Sequence, residues 1–330
     1  MVSPFSMLFF FTLILGLVLC VSSDSWFGAW VGLELNLLSF IPLISSSSNR
    51  YSSESILKYF LVQVLASIMI IFSALFILMM VNLKMVFSLS LMLKLGAAPF
   101  HFWFPQVMEG LNWIQVVVLM TFQKVGPMIL LSYLVYDKWS LIMIFTSAVV
   151  SAVVGAMGGL NQLYLRKIMA FSSINHMSWM FFAMILSEYC WLLYFSIYCL
   201  LSFLVIVNFY LQQAYHFSHL INSSFPLIPK IMSMMSLFSL GGLPPFLGFI
   251  PKWFIIQEMI ASNYFYPLMV LLMCSLVTLY FYIRLSISFL TLMFPFSGWI
   301  LKDYEGEVIM NGMMVMNFTG LLIPSLYMMC

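Results

Sequence analysis

Apolar residues run along this chain in unbroken tracts, not at every second or third position. A period of 2 or 3.6 residues marks elements with one wet face, whereas about 20 consecutive apolar residues mark a helix that crosses a bilayer. Eight tracts reach that length without Asp, Glu, Lys or Arg: 1–23, 59–83, 139–165, 168–187, 189–229, 231–251, 259–283 and 308–330. Three more qualify with one charge each: 25–49 with Glu34, 85–108 with Lys94 and 110–136 with Lys124. The tract 189–229 is read as one span plus a polar loop from Gln212 to Ser224, because Gln212, Gln213, His216, His219 and Asn222 crowd its second half. The pattern predicts an all-α polytopic membrane protein with about eleven transmembrane helices.

Composition excludes the alternatives. The chain is 64% hydrophobic and 7% charged, with a mean hydropathy of +1.10. A soluble domain carries about 25% charged residues, and a transmembrane barrel alternates polarity in segments of about ten. The first 23 residues lack a charged leader and are expected to continue as a span, not to be cleaved. The five cysteines are dispersed, with no metal-ligand spacing or evident disulfide framework. His216 and His219 have no acidic or Cys partner and are not read as a metal site. GAMGGL (155–160) follows no strand and reads as helix packing, not as a phosphate cradle. No soluble segment is long enough to bind a nucleotide, and no nucleic-acid partner is expected. The 29 Met and 33 Phe are compatible with an AT-rich organellar genome.

Loop charge sets the expected orientation. With the N-terminus inside, the inner connections carry Arg50, Lys58, Arg166, Lys167, Lys230 and Lys302, against Lys84 and Lys138 outside. Eleven spans then put the C-terminus outside.

Two segments resemble each other: LGAAPFHFWFP (95–105) and LGGLPPFLGFIP (240–251), with their first prolines, Pro99 and Pro244, 145 residues apart. Each lies in the fourth span of a five-span block, and an odd number of spans inverts the second block. The expected organisation is a first repeat at 1–136, broken at 85–108. A second repeat at 137–291 is broken at about 230–258, and a loop and C-terminal helix occupy 292–330. Gly96 and Pro99, and Gly241, Gly242, Pro244 and Pro245, are the predicted helix breaks. Proline removes a backbone N–H and clashes with the preceding turn. Lipid cannot satisfy the carbonyls so freed, so a broken span faces protein or water. A single break is as readily a packing kink. Matched breaks in inverted halves point to a transport site near the midplane.

Ionisable groups within spans are costly and are candidates for function. Glu34 lies about ten residues into its tract, Lys94 directly before the first break, and Lys124 mid-tract in FQKVGP. Each has a structural alternative as a counter-ion. Lys252 is evenly balanced on sequence, since Lys-Trp also suits an interfacial anchor. A buried lysine row with one carboxylate is a titratable chain, because burial disfavours the ammonium and a nearby carboxylate favours it. His101, after the first break, and His176, in FSSINHMSWM, are candidate relays or hydrogen-bonded core histidines.

WVGLELNLLSFIPLI (30–44), LMLKLGAAPFHFWFPQV (91–107), FQKVGPM (122–128), AFSSINHMSWM (170–180) and SLGGLPPFLGFIPKW (239–253) together resemble the NADH dehydrogenase (ubiquinone) subunit 2 family, in an arthropod-like wording. These are the mitochondrially encoded antiporter-like subunits of respiratory complex I. The resemblance implies two inverted five-helix repeats, each with a broken helix, in the shortened animal form. It implies proton-path roles for Glu34, Lys94, Lys124 and Lys252, and decides for an intramembrane Lys252. Lys94 would take a matrix proton while paired with Glu34, and the proton would pass by Lys124 and waters near His176 to Lys252. The implied complex oxidises NADH, reduces ubiquinone and pumps protons across the mitochondrial inner membrane. The N-terminus would face the matrix and the C-terminus the intermembrane space. The flavin, Fe–S clusters, NADH and ubiquinone would belong to other subunits, leaving no cofactor or metal on this chain. Other membrane-arm subunits, including 4 and 4L, would be its partners. Two rival readings remain: a membrane scaffold without its own proton path, and a stand-alone cation/proton antiporter.

Overall fold

The computed structural model of the chain describes residues 4–45, 50–78, 83–222 and 227–291; the expected span at 308–330 lies outside them. Among the described residues the regular structure is helical, apart from one isolated bridge between Tyr164 and His216. A helix satisfies every backbone group within itself, which lipid requires.

The chain divides into two compact units, Met1–Ser151 and Ala152–Cys330. The first contains α1 (Pro4–Ser22), α2 (Trp26–Ser45), α3 (Arg50–Leu78), α4 (Lys84–Leu95), α5 (Trp103–Gly110), α6 (Trp113–Met120) and α7 (Phe122–Leu134). Helix α8 (Lys138–Gly159) runs across the boundary. The second contains α9 (Leu165–Leu186), α10 (Glu188–Leu211), α11 (Phe217–Asn222), α12 (Leu227–Gly241), α13 (Phe249–Ala261) and α14 (Phe265–Thr291). Eight described stretches are long and apolar enough to cross a membrane, counting Trp113–Leu134 as one. Two further apolar tracts are each split into a pair of helices, α4/α5 and α12/α13.

Glycines set the closest helix crossings. A Cβ on Gly32 would lie 2.5 Å from the Cys20 amide nitrogen, so α1 and α2 meet backbone to backbone there. The GAMGGL glycines do pack helices: a Cβ on Gly155 would lie 2.7 Å from the Asn175 amide, and one on Gly158 2.4 Å from the Phe171 ring. In the first unit α3 packs against α2, α4 and α5, and α7 against α1 and α4. In the second, α9 is the most buried span and packs against α10, α13 and α14.

Three boundaries differ from those of the apolar tracts, though α13 ends close to the 258 expected for the second broken span. The tract 110–136 is interrupted at Thr121, between α6 and α7. The Thr121 hydroxyl donates to the Val117 carbonyl at 2.7 Å, and Pro127 cannot donate to the carbonyl one turn back. The tract ended at 251 because a charge follows, yet α13 continues through Lys252 to Ala261. The next span starts at Phe265, after a turn in which Asn263 adopts φ 61°.

Candidate functional site

The first break is a left-handed turn. Gly96 ends α4 at φ 71°, where a side chain is disfavoured, and the amides of Gly96 and Ala97 bond to the carbonyls of Leu93 and Met92. Two neutral side chains satisfy carbonyls at this helix end. Trp103 Nε1, from the first turn of α5, donates to Leu93 O at 3.1 Å, and Gln63 Nε2, from α3, donates to Lys94 O at 3.1 Å.

Three charges converge on this region. Lys94 is 6% exposed and Lys124 2%. The Lys124 ammonium stands 5.2 Å from the centre of the Phe104 ring, and a Cβ on Gly96 would lie 3.0 Å from Phe104 Cβ. Glu34 is half-buried on α2, within electrostatic reach of Lys94 and of Tyr59. Among the described residues Glu34 and Lys94 do not form an ion pair within 4.0 Å, so the direct pairing expected from sequence is absent here. His101 is half-buried beside the Pro99 backbone, with which it hydrogen-bonds.

The second break uses the same turn with a different cap. Gly242 adopts φ 78°, and the amides of Gly242 and Leu243 bond back to the Phe238 carbonyl. The equivalent of Gly96 is therefore Gly242, and of Ala97 Leu243. This one-residue shift aligns Pro99 with Pro245, not with Pro244 as the motif alignment had it. The left-handed glycine fixes the register, and proline content does not. Lys252 sits in the first turn of α13, 6% exposed, and its ammonium donates to Gly241 O at 2.7 Å. It also lies 5.9 Å from the centre of the Trp179 ring on α9. It is not an exposed interfacial anchor. Gly248 completes the break by pressing onto the Ser239 carbonyl, where a Cβ would lie 1.8 Å from the oxygen.

His176 is buried on α9, 6% exposed, with Nδ1 2.9 Å from the Tyr194 hydroxyl and its ring 5.2 Å from that of Tyr198. Around it Asn175 Nδ2 donates to Thr278 Oγ1 at 3.5 Å, Asn175 Oδ1 has no partner among the described residues, and the buried Tyr282 hydroxyl stands beside Ser172. The sequence places Asn175 beside His176, but Tyr194, Tyr198 and Tyr282 carry no formal charge and lie in other tracts. Polar residues recurring within an apolar tract are the signal that could have found them. Among the described residues no group of three or more His, Cys, Asp or Glu could hold a metal ion.

These features define a class: a helical membrane protein whose interrupted spans hold buried lysines against freed or aromatic surfaces. Residues 23–90 and 78–278 match the family described as NADH:quinone oxidoreductase/Mrp antiporter, transmembrane. The fold is similar to a chain in the structure of respiratory complex I from Thermus thermophilus with bound aureothin. That match has a TM-score of 0.81 and 22% identity, and covers 98% of this chain and 79% of that one. NADH-ubiquinone oxidoreductase chain 2 of Anopheles gambiae is 43% identical over 95% of this chain and 94% of its own length. The Aedes aegypti protein of the same name is 44% identical over 97% and 96%. The chain belongs to the NADH-ubiquinone oxidoreductase chain 2 family.

Proposed function

We propose that the chain is a proton-translocating membrane-arm subunit of respiratory complex I in the mitochondrial inner membrane, part of an H+-translocating NADH:ubiquinone oxidoreductase. The observation that carries the reading is the set of three lysines, Lys94, Lys124 and Lys252, each at most 6% exposed within an apolar chain. A buried ammonium is expensive in such a setting and is kept where its protonation is used.

The chain moves protons, not electrons; NADH, flavin, Fe–S clusters and ubiquinone belong to other subunits. Lys94 loads from the matrix, and Glu34 sets its charge by approaching or receding, since a nearer carboxylate favours the ammonium. The half-buried position of Glu34, within electrostatic reach of Lys94 but outside ion-pair distance, supports a movable partner. Lys124 passes the proton on, His101 and His176 act as relays, and Lys252 delivers it to the intermembrane space. The chain is organised as two inverted five-helix repeats, 1–136 and 137–291, followed by a C-terminal helix at 292–330. The N-terminus faces the matrix and the C-terminus the intermembrane space. Subunits 4 and 4L are among its neighbours.

The test is Lys94→Met in assembled complex, with protons pumped per NADH as the readout. Loss of pumped protons is expected; unchanged stoichiometry and rate would leave a scaffold reading in its place.

A further inference from the structure

Helix α3 carries no residue of the proposed proton path, yet two of its side chains reach the helices that do. Four of its serines are satisfied locally: Ser53, Ser55, Ser67 and Ser73 donate to carbonyls three residues back in the same helix. Tyr59 and Gln63 differ. They lie one turn apart on one face, 1% and 5% exposed, and both bond outside α3.

Tyr59 Oη donates to Gln123 Oε1 at 3.2 Å. Gln123 Nε2 in turn donates to Asn36 Oδ1 at 3.0 Å and to Asn36 O at 3.4 Å. Asn36 lies two residues beyond Glu34, and Gln123 immediately precedes Lys124. The chain of donors therefore ties the lysine helix directly to the glutamate helix, and Tyr59 joins α3 to that tie at Gln123. One turn along, Gln63 Nε2 donates to the carbonyl of Lys94 itself, at the end of the broken helix. Packing alone does not account for this arrangement. Apolar side chains of the same volume would fill the site without the cost of desolvating three amides and a phenol. What the polar groups add is direction, because each bond fixes one helix against another.

We infer that Tyr59 and Gln63 are positioning residues that hold Glu34, Lys94 and Lys124 at the separations proton transfer needs. The inference rests on the proton-path reading above. The other titratable groups around the set are Cys20 on α1, within electrostatic reach of Lys94, and His101 in the break.

The test compares Tyr59→Phe and Gln63→Met with Lys94→Met in whole assembled complex. Tyr59→Phe keeps the ring that packs on Phe40 at 5.2 Å and Trp103 at 6.1 Å, and Gln63→Met keeps the side-chain length, so each removes the polar group and its donor while keeping the packing. NADH-driven pumping per assembled complex is measured across pH. A drop of about fivefold, the scale of one lost hydrogen bond, is expected in each variant, with a displaced pH profile. Wild-type pumping in both variants, while Lys94→Met abolishes it, overturns the positioning role and leaves the proton path standing. A drop with an unmoved pH profile, or failure of both variants to assemble, assigns the two residues to structure alone and also overturns it. Wild-type pumping in Lys94→Met removes the underlying reading instead.

Discussion

The two broken helices share a backbone turn but close it with different chemistry. At the first, Gly96 turns the chain at φ 71° and neutral donors, Trp103 and Gln63, satisfy the carbonyls of Leu93 and Lys94. At the second, Gly242 turns it at φ 78° and the ammonium of Lys252 satisfies Gly241. The first break therefore leaves its lysine side chain uncommitted to the break, so Lys94 can answer to Glu34. The second makes the lysine a structural part of the break. A proton lost from Lys252 is a change in the group that holds α12 to α13. In the proposed path, loading falls to a lysine beside the turn and release to a lysine within it.

The comparison breaks most severely at Gly248. Gly248→Ala puts a methyl group 1.8 Å from the Ser239 carbonyl oxygen, a backbone atom, so the second break cannot close. Assembled complex is expected to be undetectable on a native gel. Gly96→Ala at the first break is milder. It adds a Cβ 3.0 Å from Phe104 Cβ and places alanine in the left-handed region, at about 1–2 kcal/mol. Reduced but measurable assembly is expected, with a lower melting temperature for the membrane arm.

Trp103→Phe sharpens the contrast between neutral and charged caps. It removes one donor to Leu93 O, which keeps the bond from the Gly96 amide, so about 1 kcal/mol of stability is at stake. Thermal stability should fall slightly while pumping per complex is retained. The smallest effect is expected at the Lys84–Asp137 ion pair, 2.8 Å long with side chains 40% and 30% exposed. Lys84→Gln should cost no more than about 1 kcal/mol and leave turnover unchanged, since a solvent-screened pair contributes little.

Much of this contrast was legible in the sequence, and its limits have physical causes. Gly and Pro announced both breaks because few other residues interrupt a helix in lipid. The register between them was not legible. The motif alignment paired Pro99 with Pro244, whereas the turns pair Gly96 with Gly242, because φ above zero, not proline, defines the corner. The interruption at Thr121 has no sequence signal, since threonine marks no turn and Pro127 lies six residues on. Lys252 stood evenly between anchor and intramembrane group, because depth depends on how far α13 continues past the charge. Tyr59, Gln63 and Gln123 do not stand out in the sequence, because amides and phenols cost less to bury than full charges. Their importance lies in which helix they reach, and that is a tertiary fact.

The most direct measurement is the number of protons pumped per NADH by complex assembled with Lys252→Met. Methionine keeps the length and apolar volume of the lysine stem and removes both the titrating group and the donor to Gly241 O. Normal assembly with lost or reduced stoichiometry is the result expected if Lys252 releases the proton. Normal assembly with wild-type stoichiometry and rate would contradict it.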